Sequence, residues 1–318
     1  MGEKSDINIL FLGGGKKISL AERFISAAKK KGRNANIFTY EIREDAPLLA
    51  VAKIVKGLKW KDKKILSHLK SVIKKHRIHI VLPLVDPAIA VASELKKKSS
   101  GNLFIPVSDE EICNTFFDKK VANQWFIKNN FNVPVNNGHL PLIAKPVKGS
   151  ASSGIVFIRD KSMLKFFDKN YNQQNYLLQR CIEGEEYTVD CYVDIHGKIL
   201  CAVPRKRIEV SSGEVIKSMV VKDKKIVDET RAVLERSKLT GPVNVQFMRE
   251  IKTKKLFLIE INPRFGGGVI ASIEAGADIP LMILNEYLHL PNREVKKVKE
   301  NLLMLRAYRE IFTYANHR

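Results

Sequence analysis

Apolar positions recur along this chain with two periods, and the period changes from segment to segment. Ile7–Leu12 is a short apolar run that reads as a buried strand, and Gly13-Gly14-Gly15 follows it. Over 19–31, Leu20, Phe24, Ala27 and Ala28 fall on one helical face. Residues 35–40 read as a second strand. Residues 62–75 read as a helix with Ile65, Leu69, Val72 and Ile73 as its apolar stripe, and 78–84 as a third strand. Asp86-Pro87 then predicts a helix start, with aspartate as N-cap and proline at the first helical position. Strands alternating with helices imply a parallel sheet, so residues 1–112 are expected to form a Rossmann-like α/β domain.

The pattern differs in the remainder. Residues 109–130 predict a helical pair, and 142–182 read as strand, glycine–serine loop, strand, helix, strand, a small α+β unit. Residues 183–261 are rich in antiparallel-looking strand segments, 186–194, 198–203, 215–221, 243–248 and 256–261, of which 243–248 alternates apolar and polar positions, with a helix over 223–237. A helix is expected from Ile279-Pro280 to His289, and final strands over 302–313.

Composition narrows the class. The 318 residues suffice for two or three domains with their own cores, and 45% hydrophobic content is ordinary for a globular protein. No apolar run reaches the length of a membrane span, and a polar N-terminus leading straight into a strand predicts no signal peptide. Cys113, Cys181, Cys191 and Cys201 form no CxxC pair, so reduced thiols in a cytoplasmic protein are expected rather than a zinc site. The formal charge of +21 raises nucleic-acid binding. The lysines, however, are spread over helical faces without interleaved aromatics, which favours a solvated surface that attracts anionic substrates.

Four segments carry candidate chemistry. The turn at Gly13–Gly15 fails the dinucleotide fingerprint because Ile18 stands where its third glycine should be; a tight strand-to-helix turn is favoured over an anion contact, with Glu41 as a mimic of the ribose-binding acid. The run Gly149-Ser150-Ala151-Ser152-Ser153-Gly154 has P-loop glycine spacing, but Ile155-Val156 stands where Lys-Ser/Thr is required. Alone it reads equally as a plain hairpin; with Lys119 upstream and Lys145 on the preceding strand, phosphate gripping is favoured. Residues 176–186 run from an apolar strand into an acidic turn and, without context, read as a solvated hairpin.

The fourth is the most informative. Glu260 and Asn262 end an apolar strand, two residues apart and therefore on one face, with Arg264 next to them and Gly266-Gly267-Gly268 beyond. A carboxylate there is costly without a compensating cation. A hairpin register centred on Thr253 pairs Gln246 with Glu260 and Asn244 with Asn262, gathering three oxygen ligands at Gln246, Glu260 and Asn262, with Asn244 read as an ordinary hydrogen-bonded strand residue.

Taken in order, Asp118-Lys119, Lys145-Pro146 with Gly149…Gly154, Gln179…Glu186, Gln246 and Glu260-Ile261-Asn262-Pro263-Arg264 resemble the ATP-grasp superfamily over nearly the whole chain. The nearest likeness is to the synthetase units of the carbamoyl phosphate synthase large subunit and their stand-alone relatives, because of Gln246 and the position of Arg264. The resemblance implies a pre-ATP-grasp domain over 1–112 and an ATP-grasp domain over 113–318, with a small lid subdomain at 140–182 and a C-terminal subdomain at 183–318. It implies that Lys119 and Lys145 contact ATP phosphates and that Gly149, Ser150, Ser152, Ser153 and Gly154 fold over the triphosphate. Gln179, Arg180, Cys181 and Ile182 would hold adenine, and Glu186 the ribose. Gln246, Glu260 and Asn262 would ligate Mg2+, or Mn2+, and Arg264 would act catalytically on the transferred phosphoryl group. Arg205, Arg207 and Lys217 lie in a segment that often adds a cationic phosphate contact. The implied activity is ADP-forming ligation of a small carboxylate to an amine or thiol through an acyl-phosphate, in a superfamily where homodimers are common. The alternative is an ATP-binding sensor or assembly protein that has lost catalysis.

Overall fold

The computed structural model describes residues 6–99, 101–149 and 153–314. Contacts divide the chain into two units. Residues 6–105, 280–290 and 305–314 belong to the first; Pro106–Ile279 and Pro291–Met304 belong to the second.

In the first unit, β1 (Ile7–Leu12), α1 (Ile18–Lys29), β2 (Ala35–Glu41), β3 (Lys53–Lys56), α2 (Ile65–Lys75), β4 (Ile80–Pro83) and α3 (Asp86–Lys97) alternate as expected. The sheet is parallel in the order β3-β2-β1-β4. Strand β1 lies inside the sheet and is buried on both faces over Ile9–Leu12, hence the continuous apolar run there. Strand β3 escaped the sequence reading because Lys53-Ile54-Val55-Lys56 is a four-residue edge strand with exposed lysines at both ends. Asp86 lies inside the first turn of α3, and extended Val85 occupies the cap position instead. The amides of Gly14 and Gly15 are taken by the chain itself. They donate to the Glu41 carboxylate, which also accepts from Thr39 Oγ1 at 2.8 Å. Burial raises the Glu41 pKa against these hydrogen bonds.

The second unit begins with the helical pair α4 (Glu110–Phe117) and α5 (Lys119–Lys128). The Asp118 side chain caps α5 by accepting from Lys120 N and Val121 N at 2.9 and 3.1 Å. A three-stranded antiparallel sheet follows, made of β5 (Leu142–Pro146), β6 (Val156–Ile158) and β7 (Tyr176–Arg180) in the order β6-β5-β7. Helix α6 (Lys161–Asn170), capped by Asp160, buries Phe167 against Leu142, Ala144 and Ile158. Strand alternation therefore turns Ile143 and Lys145 to the opposite face.

The larger sheet contains β8 (Gly184–Val193), β9 (Ile199–Ser211) and β10 (Glu214–Val220), then, after helix α7 (Lys224–Ser237), β11 (Gly241–Glu250) and β12 (Leu256–Asn262). Helices α8 (Val269–Glu274) and α9 (Ile279–Tyr287) follow, and β13 (Leu303–Leu305) completes the order β12-β11-β8-β9-β10-β13. Only Leu303–Leu305 pairs in the stretch expected to supply final strands. One face of this sheet is apolar: Tyr187, Val189, Cys191, Val243, Val245, Phe247 and Ile261 bury against Phe116 of α4, Phe126 of α5 and Val233 of α7. The residues between them point the other way, so Glu186, Thr188, Asp190, Asn244, Gln246, Glu260 and Asn262 share a polar face.

The β11–β12 register is the one expected at the polar end: Gln246 pairs with Glu260 and Asn244 with Asn262. Nearer the turn it shifts by one, with Phe247 opposite Leu258, so Ile259 is the extra residue of a β-bulge. Without the bulge, the turn geometry would carry Glu260 out of register with Gln246.

Candidate active site

Between the cavity-facing side of the small sheet and the polar face of the large one lies a cavity of about 300 Å3. Its lining comes from distant points of the chain: Lys119 at the start of α5, Ile143 and Lys145 of β5, Gln179 of β7, Glu186 of β8, Gln246 of β11 and Glu260 of β12. Ile259, the extra residue of the bulge, is brought into the wall beside Glu260.

Charged groups concentrate at one end. Lys119 Nζ donates to the Gly149 carbonyl at 2.8 Å and lies 3.5 Å from Glu260 Oε1. Lys145 is half-buried, and burial lowers its pKa; Lys119 acts in the same direction, while Glu260 and Glu186 oppose it. Glu186 is shifted upwards, chiefly by burial, against Arg207 and Lys145. Arg207 Nη1 lies 3.3 Å from Glu186 Oε1. Burial thus disfavours the charge on both Lys145 and Glu186, and each is held by opposite charges around it.

The wall formed by the end of β7 and the residues after it carries one open acceptor. Gln179 is 2% exposed; its Nε2 donates to Asn123 Oδ1 at 3.0 Å, and its Oε1 has no protein partner. A buried amide oxygen left unpaired costs free energy unless a ligand N–H meets it. Arg180, Cys181 and Ile182 continue this wall. The Arg180 side chain leaves it, pairing with Glu250 at 2.7 Å and lying over the Phe257 ring, so its contribution is backbone.

Of the residues singled out from sequence, Lys119, Lys145, Gly149, Ser153, Gln179, Arg180, Cys181, Ile182, Glu186, Gln246 and Glu260 meet at this cavity. Ser150 and Ser152 lie outside the described residues. Gly154 follows Ser153 with a φ of +73°. Asn262 is 8% exposed, one pleat beyond Glu260 and opposite Asn244. Arg264 is half-buried, and its Nη1 donates to the Phe265 carbonyl at 3.0 Å. Lys217 sits at an irregular point of β10 and Arg207 behind Glu186; neither forms the cavity wall.

Arg205 is placed differently from the cationic contact expected of it. It is 1% exposed, and its Nε donates to Asp190 Oδ2 at 2.6 Å. Asp190 also accepts from Ser272 Oγ at 2.6 Å and from Asn244 Nδ2 at 3.1 Å. Asp190, Ser272 and Asn123 were missed from sequence. The signal for Asp190 was there: it lies two and four residues beyond Thr188 and Glu186 on the same strand.

The donor set fits a hard divalent cation. Glu260 offers a carboxylate and Gln246 an amide oxygen on adjacent strands, with Asn262 one pleat away. With a single carboxylate among the three, much of the charge opposing such a cation would have to come from a bound anion. Among the described residues no cluster of three or more His, Cys, Asp or Glu side chains suggests a separate metal site. No described helix is long and apolar enough to cross a membrane.

Comparison with known proteins agrees with this architecture. A family described as "ATP-grasp in the biosynthetic pathway with Ter operon" matches residues 172–309, and one described as "PylC-like, N-terminal domain" matches 9–104. A D-alanine–D-alanine ligase from Rickettsia typhi is 24% identical over 180 residues, 47% of this chain and 54% of that protein. The chain spans about half the length of the curated relatives it matches. The solved N5-carboxyaminoimidazole synthetase from Staphylococcus aureus, complexed with ADP, superposes with a TM-score of 0.73 at 16% identity, over 96% of this chain and 84% of that one. An L-amino acid ligase from Bacillus licheniformis gives 0.68 at 17% identity, over 89% and 75%. These matches do not single out a carbamoyl phosphate synthase, the branch expected from Gln246 and Arg264. An α/β unit followed by two antiparallel sheets enclosing a cavity, together with the ATP-grasp family match over residues 172–309, supports the ATP-grasp superfamily for this chain.

Proposed function

We propose that this chain is an ATP-dependent, ADP-forming ligase that joins a carboxylate to an amine, or to a thiol, through an acyl-phosphate. The observation that carries the reading is the make-up of one cavity: a buried amide acceptor left open at Gln179, and two lysines lining the same cavity as a carboxylate and an amide at Glu260 and Gln246. That is the complement of a nucleotide, base inward and phosphates toward the cations.

Gln179 Oε1 would accept from the adenine amino group, with the 180–182 backbone alongside and Glu186 on the ribose hydroxyls. Lys119, Lys145 and the 149–154 loop would hold the phosphates. Gln246, Glu260 and Asn262 would hold Mg2+, which when bound neutralises phosphate charge. A substrate carboxylate oxygen attacks the γ-phosphorus, and the bond to the β-phosphate oxygen breaks, releasing ADP. The nucleophile then attacks the acyl carbon, phosphate leaves, and the amine proton is lost. The protein's part is positioning and charge stabilisation in a water-poor site, with Arg264 beside the transferred group. The ligases among the relatives support this class of chemistry.

A panel of amino acids and small carboxylates, assayed for phosphate release with mass spectrometry of products, tests the reading. ADP and phosphate should form with a new amide or thioester, and only with an acceptor pair. Mg-ATP binding without turnover on any pair would favour the sensor alternative.

Two expectations concern Lys145. Lys145→Ala should weaken binding of a non-hydrolysable ATP analogue roughly ten- to hundredfold, since a hydrogen bond to a charged group contributes about 1.5–3 kcal/mol. Lys148→Ala should change little, because Lys148 is exposed and outside the cavity wall. Calorimetric titration giving the reverse order would mean the grip is elsewhere. The lowered pKa of Lys145 means that its charge is lost at a lower pH than an ordinary lysine's. Analogue affinity should therefore fall as pH rises from neutrality towards the usual lysine range, and the Lys145→Ala variant should lack that fall.

A further inference from the structure

A buried carboxylate sits two hydrogen bonds from the cation end of the cavity. Asp190 is held by Arg205 and offers only acceptors to its neighbours. Asn244, 3% exposed, must therefore turn its amide nitrogen to Asp190, which it meets at 3.1 Å. Its oxygen then faces along the polar sheet surface to Gln246, and Gln246 must in turn present its own nitrogen, at a longer 3.4 Å. The second donor–acceptor choice leaves Gln246 Oε1 as the atom free for the cavity, on the strand beside Glu260. Turned round, Gln246 would offer an N–H to a cation, which repels it.

We propose that Asn244 is a positioning residue: it relays the polarity of Asp190 to Gln246 and so fixes that amide with its oxygen toward the divalent cation. The inference rests on the reading of Gln246 and Glu260 as cation ligands, and it assigns to Asn244 a part beyond that of a hydrogen-bonded strand residue. A carboxylate ligand needs no such help, because both of its ends are acceptors. Gln246 is a ligand whose value depends on which way it points, and two amides in series from a fixed carboxylate settle the direction.

The test measures Mn2+ binding by electron paramagnetic resonance in the presence of a non-hydrolysable ATP analogue, so no turnover is needed. Asn244→Leu removes the relay at similar volume. Asn244→Thr keeps a hydroxyl donor for Asp190 but is too short to reach Gln246, and it suits a strand if the leucine variant folds poorly. Each is made with Gln246 and again with Gln246→Glu. In the Gln246 background Mn2+ affinity should fall about tenfold or more, as for loss of a partner that orients a ligand. In the Gln246→Glu background, where there is no direction to set, the same substitutions should change affinity by less than about a third of that loss on the logarithmic scale of free energy. Equal losses in both backgrounds would mark Asn244 as merely structural and overturn the relay, as would no loss in either. Glu260→Gln is measured alongside. If it weakens Mn2+ binding while the Asn244 variants do not, the relay alone fails; if it leaves binding unchanged, the cation lies elsewhere and both readings fall.

Discussion

Glu260→Ala is expected to lower magnesium-dependent ATP turnover by on the order of 10²–10³, the usual cost of losing one charge-stabilising contact in a closed site. The argument rests on where the carboxylate stands. It ends a strand, lies 3.5 Å from Lys119, lines the cavity beside Gln246, and opposes the burial-driven loss of charge on Lys145. Removing it takes away the one carboxylate among the three proposed ligands. It also leaves two lysines together without their nearest shared counter-charge, so the phosphates would be held more tightly in a less productive arrangement. The fold should survive. The Glu260 side chain is about a quarter exposed, at 27%, and Lys119 keeps its 2.8 Å bond to the Gly149 carbonyl. The expected pattern is a near-parental melting curve with turnover lost and not restored by raising Mg2+. Turnover equal to the parent's would refute the metal assignment.

That site was legible in sequence to the extent that strand alternation and hairpin register are. Gln246 and Glu260, Asn244 and Asn262 meet as the symmetric hairpin predicts, yet only because a bulge at Ile259 restores the register near the cavity. A bulge leaves little trace in a run such as Leu256-Phe257-Leu258-Ile259, where every residue is apolar and no period-2 alternation can be interrupted. The sidedness of β8 was readable from Glu186, Thr188 and Asp190, but what Asp190 faces depends on β9 and α8, which approach from other parts of the chain. Arg205 illustrates the limit most clearly. A basic residue near a phosphate-binding segment reads as a ligand contact, and only the packing tells that its guanidinium is committed to a buried carboxylate. The Gln179–Asn123 contact spans 56 residues and has no local signature at all.

Asp190→Ala should be the most destabilising single change in the second unit's sheet, by about 3–5 kcal/mol, the range for breaking a buried ion pair from one side. Asp190 and Arg205 are each 1% exposed, so the substitution strands a guanidinium that cannot lose its proton and cannot reach water. It also leaves Ser272 Oγ and Asn244 Nδ2 without their acceptor. The surroundings have little room to relax. A Cβ on Gly266 would stand 2.3 Å from Asn244 Nδ2 and 2.7 Å from Asp190 Oδ1, and one on Gly268 would stand 2.5 Å from Arg205 Nη1. The two glycines thus let the loop after Arg264 lie directly on the ion pair, and the pair in turn sets the floor under that loop. For a unit of this size the expected loss corresponds to a fall in melting temperature of roughly 6–20 °C. Replacing both partners together, Asp190→Leu with Arg205→Met, should cost less than Asp190→Ala alone, because no buried charge is left uncompensated. Calorimetric melting of the three proteins decides the matter. If the double variant is the least stable, the network acts through its hydrogen-bond geometry rather than through charge compensation, and the floor of the loop depends on donors and acceptors that no apolar pair can replace.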